Sequence, residues 1–395
     1  MNKRKKSTFF DKALPSLIAI AIGIVAGLII IIVTNTENAF EAIPEFLKGP
    51  FTTGLTGVGD LFYHITPLLM TGLAVAFAYQ TGLFNIGASG QFIMGGFLAI
   101  LISAKLEKAG LASNMTWLVA LLVAGLGGAL LASIVGVLKA YRNVNEVITC
   151  IMLNYTSMYL VNHFIKSAGI YNQTRNATIN ISTAIPKLGV DKLFPNTIAG
   201  GGIVIGLIIV IILHIILKKT TFGYELKGVG LNRHAAKYAG ISENKSIILS
   251  MAISGLLAGL GGGMLYLSGA GNNIAVQDLL PTEGFDGIAI SLLGLNEPIG
   301  VFLASILIGY LKMGGQAIQT LGYAPELITI ITSFILYVSA LSVLFKRMLG
   351  KKHVDIVDNI NSEPQANNPE KEAKEEVKEE VNQIKSEKDI EGGAK

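Results

Sequence analysis

The sequence predicts an all-α polytopic membrane protein of about ten transmembrane or half-membrane helices, sized to a bilayer. Three observations carry this. Only 15% of the 395 residues are charged, against roughly 25% in soluble domains, while 51% are hydrophobic. The apolar residues come in long blocks. Lys and Arg collect in alternate connecting segments, which is the bias that sets membrane topology.

The elements follow in order. Residues 1–13 carry Lys3, Arg4, Lys5, Lys6 and Lys12 ahead of the aliphatic run Leu14–Val33. A cleaved signal peptide is the rival reading, but its apolar core is roughly 7–15 residues, and this run approaches the ~20 of a span. A retained helix with an inside N-terminus is expected. Thr34–Asp60 reads as an outer loop with a short amphipathic helix around Phe40–Leu47. Leu61–Tyr79 returns inward, Asn85–Ser103 goes out, Trp117–Leu138 comes in and Val147–Ile165 goes out. Lys166–Asn196 is a polar outer loop, Thr197–Leu217 comes in, and Lys218–Lys245 is a long inner segment. Ser246–Ser268 goes out and Gly269–Glu283 is an outer connection. Gly284–Leu295 is short for a span and ends at the turn Asn296-Glu297-Pro298. Ile299–Gln316 goes out and Glu326–Phe345 comes in, with both termini inside. Through Lys352 the proposed inner segments hold 17 Lys/Arg and the outer loops 6. Lys166 and Lys312 sit close enough to the outer face to snorkel.

The charge is divided. The segment from Lys351 onward holds 8 basic and 12 acidic residues, leaving 23 basic and 15 acidic in the body. The basic excess lies in short segments between apolar spans, which argues for positive-inside topology and against nucleic acid as a partner. Residues 14–350 are therefore read as the membrane domain. Residues 351–395 have too little apolar area to offset ordering entropy and are read as a disordered charged tail.

Several elements carry candidate chemistry. Gly82-Leu83-Phe84-Asn85-Ile86-Gly87-Ala88-Ser89-Gly90-Gln91-Phe92 interrupts two apolar runs with polar and glycine residues. Such backbone is tolerated at membrane depth where protein buries it or where it lines a watery cavity. Asn85 and Gln91 offer hydrogen bonds to a solute, and Phe84 and Phe92 offer stacking faces. Interhelical bonding with close glycine packing is the equally weighted structural account. Asn154 and Tyr155, with Tyr159 a turn on, invite the same two readings, with the structural one favoured. Asn145-Glu146 suits a helix cap. Glu283 and Asp286 suit first-turn helix acids. Gly259–Gly263 suits tight helix packing. In the inner segment, Ala235–Ala239 suits a short helix ended by Gly240. It is either a docking element for another protein or a solvated basic loop.

Here a resemblance adds to the residues. Ala235-Ala236-x-x-x-Gly240 within a large inner loop resembles the coupling-helix loop of ATP-binding-cassette (ABC) importer permeases, with His234 where Glu is usual. Gly82–Gln91, Asn143–Thr149 and Gly287–Gly294 resemble nucleoside permeases, relatives of sugar and branched-chain amino-acid permeases. The resemblance runs from about Leu61 to Phe345 and departs at Ser89, where many relatives carry Glu. It implies that loop 218–246, with Arg233, His234, Ala235, Ala236 and Gly240, couples to an ABC ATPase subunit. It also implies a second homologous permease, an extracellular substrate-binding lipoprotein and a nucleoside as the small-molecule substrate. The expected setting is the lipid of a bacterial plasma membrane.

Absent motifs narrow the function. No Gly-x4-Gly-Lys-Ser/Thr occurs, so ATP hydrolysis falls to a partner. No cofactor is expected. The five histidines form no metal-spaced pair, and neither Gly-x-Ser-x-Gly nor His-Glu-x-x-His is present. The lone Cys150 excludes an intramolecular disulfide. The alternative to an ABC importer subunit is a stand-alone ion-coupled carrier. The near absence of acids and bases within apolar spans weighs against it.

Overall fold

The computed structural model describes residues 9–111 and 114–340. The basic residues 1–8, the tail 351–395 and the end of the last expected span lie outside the described residues. The described chain is mostly helical. In order the helices are α1 (Phe9–Thr34), α2 (Ala39–Lys48), α3 (Leu55–Tyr79), α4 (Ala88–Lys108), α5 (Thr116–Arg142), α6 (Glu146–Ser167) and α7 (Val190–Leu193). They continue as α8 (Gly202–Lys219), α9 (Thr221–Leu231), α10 (Arg233–Tyr238), α11 (Glu243–Tyr266), α12 (Thr282–Leu293), α13 (Pro298–Gln319) and α14 (Glu326–Ala340). Among the described residues, six helices are long and apolar enough to cross a membrane: α3, α4, α5, α8, α11 and α13.

Helix α3 is the axis of the bundle. Every residue from Ile65 to Ala78 is buried, because α4, α8, α11, α12 and α13 all pack around it. Small residues let the neighbours close in. Gly255, Gly259 and Gly263 recur every fourth residue on α11 and face α5. A methyl group on Gly255 would collide with the Gly128 carbonyl, and one on Gly259 with that of Ala124. Gly262 makes the equivalent approach to α4 at the Phe92 carbonyl. Backbone contact of this kind replaces the hydrophobic drive that lipid cannot supply. The outward faces of α5 and α8 instead present Leu122, Leu126, Leu130, Ile208, Ile211 and Ile215, as lipid contact requires.

Both ends of the bundle are tied by polar side chains. At the end away from loop 218–246 (the outer end), the Asp60 carboxylate accepts from Thr197 Oγ1 and Ile198 N, both at 2.9 Å. Glu107 there accepts from Ser182 N, Thr183 N and Thr183 Oγ1 at 3.0, 2.8 and 2.7 Å. These bonds fix the loop 168–201, which includes a small antiparallel hairpin of β1 (Tyr171–Asn172) and β2 (Ala177–Thr178). At the inner end Asn145 caps α6, its Oδ1 accepting from Val147 N and Ile148 N, and Glu146 pairs with Lys139 at 2.7 Å.

The segment expected as an outer connection, Gly269–Glu283, takes a different course. It leaves α11 at the outer end and descends in extended form. Its polar groups are matched in sequence. Ile274 O accepts from Thr178 N at 3.0 Å, Val276 N donates to Asn176 O at 2.8 Å, and Gln277 O accepts from Asn162 Nδ2 at 3.0 Å. Pro281 O accepts from Ser89 Oγ at 2.6 Å, and Glu283 O accepts from Thr71 Oγ1 at 2.8 Å. Thr71 stands eight residues before the inner end of α3, about 12 Å of helix rise. Helix α12 thus begins deep in the bundle and runs to the inner end, where Glu297 meets Lys218 at 3.1 Å. Non-helical backbone at this depth persists because protein donors satisfy it.

Candidate functional site

The reversal between α3 and α4 is built first by its backbone. Gly82 has φ +70°, open to glycine, and Leu83 N closes the turn onto Ala78 O at 3.3 Å. Helix α4 starts at Ala88 rather than at Asn85 because the Asn85 side chain takes over as local partner. Its Oδ1 accepts from Gly87 N at 3.0 Å and from Gln91 Nε2 at 3.1 Å. Its Nδ2 donates to Gln91 Oε1 at 2.8 Å and to Ser254 Oγ at 2.7 Å. That uses both donors and both lone pairs of the amide. Asn154, on α6, clasps the same turn. Its Oδ1 accepts from Gly90 N at 2.8 Å and its Nδ2 donates to Ile86 O at 2.9 Å.

Asn85, Gln91 and Asn154 are therefore gathered in one place and buried, while Phe92 is buried with its ring near Gly261 of α11. Phe84 is half-buried beside them, and Tyr155 points away on the exposed face of α6. A solute meets Asn85 only if this knot opens. Ser89 holds α12 in place through Pro281.

Sequence reasoning passed over a second constellation. A cavity of about 310 Å³ lies between α3, α11, α13 and the start of α12. Its polar lining is Tyr63, His64, Asn272, Glu283, Lys312 and Gln316. Lys312 does not snorkel outward. Its Nζ lies 2.6 Å from Asp286 Oδ2. The signal was present in Glu283, Asp286 and Lys312, but the expected outer connection put the two acids at a surface. Only the descent of the 269–281 segment brings them to the depth of Lys312. Among the described residues, no group of three or more His, Cys, Asp or Glu is placed to hold a metal ion.

The inner segment folds as two helices, one more than expected. Thr220 caps α9, its Oγ1 accepting from Gly223 N at 3.2 Å, and Asn232 caps α10, its Oδ1 accepting from Ala235 N at 3.0 Å. Gly240, at φ +83°, ends the turn after α10. His234, Ala235 and Tyr238 are exposed, and Arg233 is half-buried. Ala236 is buried with Val229, Leu83, Cys150 and Ile247.

A multi-pass helical bundle with a broken, polar-lined membrane element and an exposed helical loop at one end is an architecture that solute-transport permeases use. The chain belongs to the family described as branched-chain amino acid transport system / permease component, whose model matches residues 57–340. The guanosine ABC transporter permease protein NupP of Bacillus subtilis is 35% identical over 85% of this chain and 95% of its own length. The nucleoside ABC transporter permease protein NupB of Lactococcus lactis is 32% identical over 86% of this chain and 94% of its own. The glucose ABC transporter permease protein TsgB13 of Haloferax volcanii is 28% identical over 75% of this chain and 79% of its own. No solved structure matches.

Proposed function

We propose that this protein is the membrane-spanning subunit of an ABC importer that moves nucleosides across a bacterial plasma membrane, with both termini on the cytoplasmic side. The observation that carries it is the 35% identity to a guanosine permease over nearly the whole of both chains. Its partners are an ABC ATPase subunit, a second homologous permease and an extracellular substrate-binding lipoprotein. Loop 218–246 receives the ATPase through Arg233, His234, Ala235 and Tyr238, with Ala236 and Gly240 setting its shape. The substrate pathway involves Phe84, Asn85, Gln91, Phe92, Asn154 and Tyr155. Phe84 and Tyr155 already carry exposed surface, and the other four take part when the knot around Asn85 opens.

The Lys312–Asp286 pair within the bundle favours a second reading, because ionisable groups at membrane depth mark ion pathways. That reading is a stand-alone ion-coupled carrier. One experiment separates the two: uptake of radiolabelled guanosine in cells lacking their own nucleoside uptake, with and without the partner ATPase. The importer reading expects uptake only when the ATPase and the lipoprotein are present. Uptake that persists without the ATPase and collapses with a protonophore overturns it.

A further inference from the structure

The cavity beside α12 holds a carboxylate that the fold does not use. Tyr63 lies eight residues into α3 from its outer end, and Lys312 seven residues before the outer end of α13. Both are about 10–12 Å of helix rise from those helix ends. Lys312 is neutralised by Asp286 at 2.6 Å. The half-buried Glu283 carboxylate makes no hydrogen bond or ion pair among the described residues, although its backbone carbonyl is taken by Thr71. The site therefore carries one negative charge in excess. The Glu283 carboxylate lines the cavity with its oxygens open to a solute, and it stands in the first turn of α12, the helix end that favours negative charge.

The remaining groups are arranged to receive a solute. The Tyr63 hydroxyl donates to Asn272 Oδ1 at 3.0 Å and accepts from its Nδ2 at 2.8 Å. Asn272 is held in turn by the Leu265 carbonyl at 2.9 Å. The Tyr63 and His64 rings meet edge to face, their centroids 5.1 Å apart. Gln316 stands exposed at the lip. About 310 Å³ is the small end of the roughly 300–1,000 Å³ of ligand pockets, suited to one small solute. An ionised carboxylate accepts two hydrogen bonds side by side, which matches two adjacent hydroxyl groups. The excess negative charge repels phosphate, and flat rings pack on a planar base.

We propose that this cavity is a solute site within the permease itself, and that Glu283 is its specificity-determining residue, holding the vicinal diol of a neutral nucleoside and turning away phosphorylated forms. The proposal rests on the nucleoside reading above.

The test begins with Gln316→Cys in the full chain assembled with its partners. Cys150 is buried and is the sole native cysteine, so labelling by an impermeant maleimide reports position 316. Inosine is expected to slow labelling several-fold, whereas 2′,3′-dideoxyinosine and inosine 5′-monophosphate leave the rate unchanged. Adding Glu283→Gln abolishes the protection. In uptake, Glu283→Gln lowers the ratio of inosine to dideoxyinosine transport by about ten-fold, as expected when a hydrogen bond loses its charge. If inosine is taken up by the wild-type assembly but labelling ignores it, or if Glu283→Gln leaves the ratio intact, the cavity proposal fails alone. If the wild-type assembly takes up no nucleoside, the proposed function fails and the diol assignment with it. Where Glu283→Gln does not assemble, the protection assay with Glu283 intact decides the question.

Discussion

Asn154 shows how much one amide can hold. Through a single side chain it satisfies the Ile86 carbonyl in the reversal between α3 and α4 and the Gly90 N–H in the first turn of α4. Asn154→Leu keeps the branching and the number of heavy atoms, adds some bulk, and removes the donor and the acceptor. Each orphaned buried group costs about 1–3 kcal/mol, so the variant is expected to unfold in detergent at a clearly lower temperature. Ser89→Ala removes only the donor to Pro281 O and is expected to cost about 1–3 kcal/mol for that one group. Tyr155→Phe, on the exposed face of α6, is expected to leave the unfolding temperature unchanged. A thermal melt of the three variants checks this. Equal melting of Asn154→Leu and wild type would show that water replaces the amide, and that the reversal is already wet.

The elements differ in how far they could be read from the residues. Long apolar blocks such as Trp117–Leu138 declare a span by composition alone, and α5 over Thr116–Arg142 extends that block by only a few residues. The cap at Asn145 was legible, because a short polar side chain before a helix has few other uses, whereas the cap at Asn232 emerged only with the structure. The depth of Gly269–Glu283 was not legible. Its carbonyls are matched by Thr178, Asn162, Ser89 and Thr71, residues from four distant stretches, and no local pattern announces such partners. For the same reason the cavity around Glu283 stayed hidden. Helix α10 makes a related point. Its small residues drew attention to Ala235 and Ala236 together, but helical geometry separates them, with Ala236 buried at 5% exposure and Ala235 outside. Ala235→Asp and Tyr238→Ala are therefore expected to weaken co-purification with the ATPase by about ten-fold, the scale of an interface hot spot, with no change in folding. Ala236→Asp places a charge in a packed apolar cluster and is expected to reduce folded yield first. Pull-down yield set against size-exclusion profile distinguishes the two outcomes.

At the scale of the whole molecule, the inner loop and the α3–α4 reversal share one apolar cluster. Leu83 from the reversal, Cys150 from α6, Val229 from α9 and Ala236 from α10 are packed within it. Backbone also touches backbone at this junction. A methyl group on Gly230 would strike the Gln80 carbonyl, and Gly82 faces Gly230 in return. Gln80 Nε2 donates to Asn296 O at 2.9 Å, which brings the inner end of α12 into the same assembly. A push on α10 from an ATPase would therefore bear directly on the turn that carries Asn85 and on the helix that carries Glu283, without any long relay. Gly230→Val is the decisive change. It wedges α9 away from Gln80 while leaving His234, Ala235 and Tyr238 exposed. The assembled complex is expected to retain its ATPase and hydrolyse ATP, but to lose about ten-fold in solute moved per ATP. Gly228→Ala is the matched control. The nearest atom to its new methyl group is Ile241 Cδ1 at 3.5 Å, an ordinary contact, and alanine favours the helix by about 1 kcal/mol. Paired measurements of ATP hydrolysis and uptake in proteoliposomes check both. If Gly230→Val transports with wild-type stoichiometry, force does not pass through this backbone contact, and the contacts of α9 and α10 with α11 are the next to test.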